Sequence, residues 1–144
     1  MYTNFAIGLL MLVLTTLIHT VLTAVVVRFV RKWVAASKSN SLLRTVIRID
    51  LVVLFTMVAT IFETTIWAWG FLYSGALNQF EEALYFSIIT YTTLGYGDIV
   101  LDDQWRLLAS LEAANGIIMF GWSTSLVFLT VQNIGFRKKD SKNG

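Results

Sequence analysis

Ala83-Leu84-Tyr85-Phe86-Ser87-Ile88-Ile89-Thr90-Tyr91-Thr92-Thr93-Leu94-Gly95-Tyr96-Gly97 is a run of fifteen uncharged residues held between Glu82 and Asp98. It is apolar enough to enter a membrane and shorter than the roughly 20 residues a spanning helix needs. Such a segment goes into the bilayer and returns on the side it came from. Glu81 and Glu82 suit the first turn of a short helix, where carboxylates meet the positive end of the helix dipole. The pattern predicts a helix through Tyr85, Phe86, Ile88 and Ile89 that gives way near Thr92 to an extended return. Its C-terminal, partly negative end then points toward the bilayer centre and can stabilise a cation there.

Outward from this run, the chain is long and apolar. Met1 to Val27 holds no Asp, Glu, Lys or Arg, Leu51 to Phe80 holds only Glu63, and Leu107 to Phe136 holds only Glu112. Each exceeds the length of a membrane span, and 56% hydrophobic residues with a mean hydropathy of +0.69 is more apolar than a soluble core demands. Three spanning helices are expected, in an all-α membrane protein with one additional re-entrant helix and loop. The first run lacks a basic leader and a small-residue cleavage pattern, so it reads as a span and not as a secretory signal. With no proline in the chain, any kink must fall at glycine or at a local bulge.

Charge sets the expected orientation. Arg28, Arg31, Lys32, Lys38, Arg44 and Arg48 lie between the first and second spans, and Arg137, Lys138, Lys139 and Lys142 follow the third. Basic flanks stay on the cytoplasmic side, which puts the N-terminus and the loop carrying the hairpin outside and the C-terminus inside. That outer loop carries Glu81, Glu82, Asp98, Asp102 and Asp103 against Arg106 alone. Gathered around one axis, such loops concentrate cations at a pore mouth, although acidic residues also collect wherever basic ones are excluded.

Non-helical backbone at membrane depth survives only where protein buries it or where it lines a watery cavity. Glycines at alternate positions let successive carbonyls turn toward one side, and stacked carbonyls can replace the water shell of an ion. Ile89-Thr90-Tyr91-Thr92-Thr93-Leu94-Gly95-Tyr96-Gly97-Asp98 resembles the pore loop of potassium channels. The resemblance, which extends over about Leu51 to Phe136, implies a pore domain over 50–136. Within it fall an outer helix (50–75), a pore helix (79–91), a filter (92–98) and an inner helix (105–136). An additional N-terminal helix (1–34), a basic cytoplasmic loop (35–49) and a basic tail (137–144) complete the chain.

The same resemblance implies potassium sites at the carbonyls of Thr93, Leu94, Gly95 and Tyr96 and at the hydroxyl of Thr93, with Gly97 closing the filter. Thr92, Asp98 and Tyr85 would support it, Tyr85 donating a hydrogen bond to Asp98. Leu94 stands where valine is more common, which alters the packing behind the filter, and Ile89 stands where some members carry a buried carboxylate. A ring of carbonyls needs several chains, so the resemblance implies a homotetramer with closed rotational symmetry. The third span would line the cavity with Ile117, Phe120 and Thr124 around a hinge near Gly116. Gly116 and Gly121 equally suit close helix packing in lipid.

Glu63 and His19 fall at similar depths near the midplane. A charge there costs at least about 2.5 kcal/mol without a partner, so the pair is expected to meet and, because histidine titrates near neutral pH, to make opening proton-sensitive. The alternative is a neutral acid bonded to Thr60 or Thr64. Glu112 is expected to brace the pore helix from behind. The basic loop is a candidate surface for anionic membrane lipids, although orientation signals alone explain its residues.

One histidine, no cysteine and no nucleophile beside a base argue against an enzyme, and neither a cofactor nor a nucleic-acid module is expected; potassium enters only as the permeant ion. The compact form suggests a prokaryotic inner (plasma) membrane. A non-selective cation channel, and a non-conducting subunit or small transporter that uses the hairpin for assembly, remain the alternatives.

Overall fold

The computed structural model describes the backbone of residues 2–36 and 42–140, with side chains for residues 4–33 and 42–132. Four helices make up the chain: α1 (Tyr2–Ala36), α2 (Leu42–Ser74), α3 (Phe80–Tyr91) and α4 (Arg106–Asp140). No strand occurs among the described residues. Three of the helices are long and apolar enough to cross a membrane, over Asn4–Trp33, Leu42–Ser74 and Arg106–Gln132. α3, with twelve residues, is not.

The expected boundaries shift at both basic segments, and in the tail α4 continues to Asp140, beyond the expected end at residue 136. Residues 35–49 are not all loop, because α1 continues to Ala36 and α2 already begins at Leu42. With neither proline nor glycine there to interrupt it, helical hydrogen bonding carries on past the apolar span. Arg28, Arg31, Lys32, Arg44 and Arg48 therefore stand on helix ends, while Lys38 lies outside the described residues. At its other end α2 stops at Gly75 (φ 77°), where the Gly75 and Ala76 amides donate to the carbonyls of Leu72 and Phe71. That pairing satisfies orphan carbonyls of the last turn.

α1 and α4 run parallel. Asn4 donates to the carbonyl of Gln104 (2.8 Å) and Asn115 donates to Thr15 Oγ1 (2.8 Å), a constant sequence offset that only parallel helices keep. Val26 and Leu126 pack together further along at the same offset. α1 and α4 thus point the same way while α2 returns between them, as three crossings require. The approach is close at Gly8, where a Cβ would come within 2.5 Å of Leu111 Cδ1.

Polarity is sorted for lipid. Thr15, His19, Glu63, Thr64, Ser87, Glu112 and Asn115 are buried, whereas Leu10, Val13, Leu17, Val21, Met57, Val58 and Ile61 are exposed. An aqueous fold would reverse that order; in a bilayer, polar side chains turn inward to find one another. The main apolar cluster joins Trp67, Ala68 and Phe71 of α2 to Ala83, Phe86 and Tyr91 of α3 and Leu108 and Met119 of α4. It wedges the short helix against the two long ones.

Candidate functional site

α3 enters at Gln79, whose extended backbone precedes Glu81 and Glu82 in the first turn. At its other end the chain folds back on the helix. The amides of Thr92, Thr93 and Gly95 donate to the carbonyls of Ile88 (3.0 Å), Thr90 (2.9 Å) and Ile89 (3.0 Å). The last turn of a helix leaves carbonyls without partners, and here the returning segment supplies them. Thr92 also caps with its side chain, Oγ1 donating to Ile88 O at 2.7 Å.

Along the return, φ is positive at Thr93 (58°), Gly95 (50°) and Gly97 (78°) and at no other residue between them. The hand of the backbone therefore alternates residue by residue. Two of the three positions are glycine, for which this region is open; Thr93 is not, and a threonine held there costs on the order of 1–3 kcal/mol. Leu94 and Tyr96, the intervening residues, are 56% and 68% exposed on the single chain.

Past the return, Tyr85 OH donates to Asp98 Oδ2 at 2.6 Å and ties the end of the segment to α3. That bond lowers the acidity range of Asp98 and raises that of the Tyr85 phenol. A lowered carboxylate keeps its contribution above its free value and loses it as pH falls through the folded one. A raised phenol keeps its contribution below its free value and loses it as pH climbs through the folded one. Between about 4 and about 10 both groups hold the bonding state. Tyr85→Phe is accordingly expected to shorten channel openings by the same factor at about pH 5 and about pH 9, measured as open-time distributions at both values.

Behind α3 lies a buried polar layer. Glu63, fully buried on α2, meets His19 Nδ1 of α1 with Oε1 at 2.8 Å and accepts the phenol proton of Tyr91 on Oε2. Thr60 and Thr64 instead donate to backbone carbonyls of their own helix. The edge of Trp122 on α4 stands against the His19 ring. One level nearer the outer loop, Ser87 is hydrogen-bonded to Glu112 and to the Thr64 carbonyl (2.7 Å). Carboxylates on α2 and α4 thus grip α3 at Tyr91 and Ser87, one turn apart on its buried face. Sequence reading missed Tyr91. The signal available was the Ser87/Tyr91 spacing of four, which puts two polar groups on one face of an otherwise apolar helix.

On α4, Ile117, Phe120 and Thr124 are exposed along one stripe. Gly116, grouped with them as a cavity or hinge residue, does not share their stripe, and the structure favours the alternative of close packing. It is buried against α3, and a Cβ on it would lie 1.9 Å from the carbonyl oxygen of Tyr91. α4 is continuous helix through this point, so Gly116 serves close packing. Gly121, with nothing within 4 Å of a built Cβ, faces open space instead.

A long helix, a re-entrant short helix with a bonded return, and a second long helix form the unit that a family model described as "Ion channel" matches over residues 49–133, more than half the chain. The chain belongs to this ion channel family. No curated protein and no solved structure matches it. As an ion channel it is an integral membrane protein whose work is ion transport, and α1 lies outside the matched region. Each chain contributes one re-entrant hairpin, and channels of this kind commonly assemble as oligomers.

Proposed function

We propose that the protein is a potassium-selective channel, a homotetramer that conducts passively through a filter formed by Thr93-Leu94-Gly95-Tyr96-Gly97. The observation carrying this reading is the alternation of backbone hand along 93–97, held by hydrogen bonds to α3 at one end and by Tyr85–Asp98 at the other. Alternating hands bring successive carbonyls to the same side of a strand, and four such strands around an axis make stacked rings that replace a hydration shell. The carbonyls of Thr93, Leu94, Gly95 and Tyr96 and the Thr93 hydroxyl are the ligands of this reading. The C-terminal end of α3 adds partial negative charge below them.

In the assembled pore Ile117, Phe120 and Thr124 line the cavity, and the basic helix ends face the cytoplasm. The plasma membrane is the expected site. The His19–Glu63 contact, which reaches Tyr91 at the base of the filter, biases opening in response to protons. Glu112 holds the upper part of α3 in place.

The test of selectivity is the reversal potential of purified protein in a planar bilayer with potassium on one side and sodium on the other. A reversal displaced far from zero along the potassium gradient is the expected result. Reversal near zero assigns the chain to the non-selective cation channels and turns attention to the packing behind Leu94.

A further inference from the structure

Near the basic end of the chain α1 and α2 leave a groove of about 340 Å³ between them. Its walls are Val25, Val26, Phe29, Leu51, Val52 and Phe55, all apolar, and it ends at Trp33 and Arg48. Arg48 is the one charged residue in the lining. It is 6% exposed, and its Nε has no hydrogen-bond partner among the described residues. Its guanidinium lies 5.6 Å from the centre of the Trp33 ring, a cation–π contact that satisfies none of its N–H groups along the ring plane.

A buried guanidinium without an anion is costly, and the described chain does not supply one. Asp50 is exposed two residues further on, about 200° around the helix, so it faces away. Glu63, the next acid on α2, is about 22 Å along the axis and engaged with His19 and Tyr91. No acid among the described residues pairs with Arg48, so the site calls for an anion, placed at the head of a slot lined by hydrocarbon.

We infer that the α1–α2 groove binds one anionic phospholipid, with an acyl chain along Val25, Val26 and Phe55 and the phosphate on Arg48. Charge complementarity selects the occupant. A zwitterionic lipid brings its own cation beside the phosphate, whereas the groove sets a single cation at the head of an apolar slot of acyl-chain character. The site lies on the end of the helices where Arg28, Arg31, Lys32 and Arg44 also stand, so the surrounding field draws anionic headgroups toward it. It is built outside the pore and does not depend on which ion permeates.

Native mass spectrometry of the full chain in detergent, with phosphatidylglycerol and phosphatidylcholine of the same chain length, tests it. Phosphatidylglycerol should be retained in preference, and Arg48→Gln should reduce that preference about tenfold or more, as loss of a charge-assisted bond does. Arg31→Gln, which removes the same charge from an exposed position, should cost no more than about fivefold. Val25→Trp, which fills the slot and keeps the cation, should also release the lipid, and glycerol phosphate should fail to displace it. Equal losses for Arg48→Gln and Arg31→Gln overturn the site in favour of diffuse surface attraction. Equal retention of phosphatidylcholine, undiminished binding in Val25→Trp, or displacement by glycerol phosphate overturns it as well.

Discussion

Gly116→Ala is expected to abolish conduction and to destabilise the subunit, while Gly121→Ala leaves the subunit fold intact. Two effects oppose each other at both positions. Alanine favours helix over glycine by about 1 kcal/mol, which alone would stabilise α4. At Gly116 the added Cβ would sit 1.9 Å from the Tyr91 oxygen and 2.8 Å from its carbonyl carbon. Those are backbone atoms of the last residue of α3 and cannot turn aside as a side-chain tip can. Overpacking costs about 1–3 kcal/mol where side chains yield, and a rigid neighbour places this case at or above the upper end. The clash wins, and α4 moves away from the residue that precedes Thr92 and Thr93. At Gly121 nothing opposes the gain. Flux from proteoliposomes and thermal unfolding in detergent, run on both variants, check the pair; normal flux in Gly116→Ala would refute the close α3–α4 contact.

The second large effect belongs to Glu63. Glu63→Ala leaves His19 and Tyr91 without their shared partner inside the bundle, and breaking a buried, hydrogen-bonded group in this way costs about 3–5 kcal/mol. Against a typical total of about 5–15 kcal/mol, that is enough to deplete folded protein. Glu63→Gln keeps the volume and a carbonyl for Tyr91, so it should fold and isolate the electrostatic part. Wild-type opening is expected to vary with pH, with the His19–Glu63 contact as the proton-dependent element of this reading. His19→Ala and Glu63→Gln should flatten that dependence in single-channel recordings. Variants that track pH as the wild type does would remove the proton-sensing role and leave the cluster a structural tie. The groups that face this contact are Tyr91 from α3 and, without a charge to contribute, Trp122 from α4.

Much of this arrangement was legible in the chain because a helix converts position into depth at a fixed rise. Counting residues from the span ends put His19 level with Glu63, and the structure brings the two within hydrogen-bond distance. The Tyr85–Asp98 bond, which the structure shows, was expected from the resemblance to the potassium-channel pore loop and not from residue counting. Depth is one coordinate, and rotation about the axis is another that spacing fixes only within a helix. Which neighbour a side chain faces depends on crossing angles between helices, so Tyr91 as the third member of the Glu63 cluster went unread. The same gap left Gly116 open between a hinge and close helix packing in the sequence reading, and the structure shows its lack of a side chain serving the α3–α4 crossing. The start of α2 at Leu42 was hidden for another reason. Hydropathy marks where lipid ends, and a helix does not have to end there.

The parallel pairing of α1 with α4 has a consequence for how the protein is made. Asn4 leaves the ribosome about 100 residues before Gln104, whose carbonyl accepts from it; Thr15, whose hydroxyl is bonded to Met11 and Leu12 within α1, precedes by the same interval Asn115, which donates to it. Until α4 follows, the Asn4 amide of α1 waits for the Gln104 carbonyl, whereas Asn115 finds Thr15 already in place. Within the subunit, closure of α1 on α4 thus comes after synthesis of the hairpin that lies between them in sequence. A nascent chain halted before α4 would leave Asn4 open to whatever polar segment is nearest, so the α1–α4 contact forms only once α4 has been made.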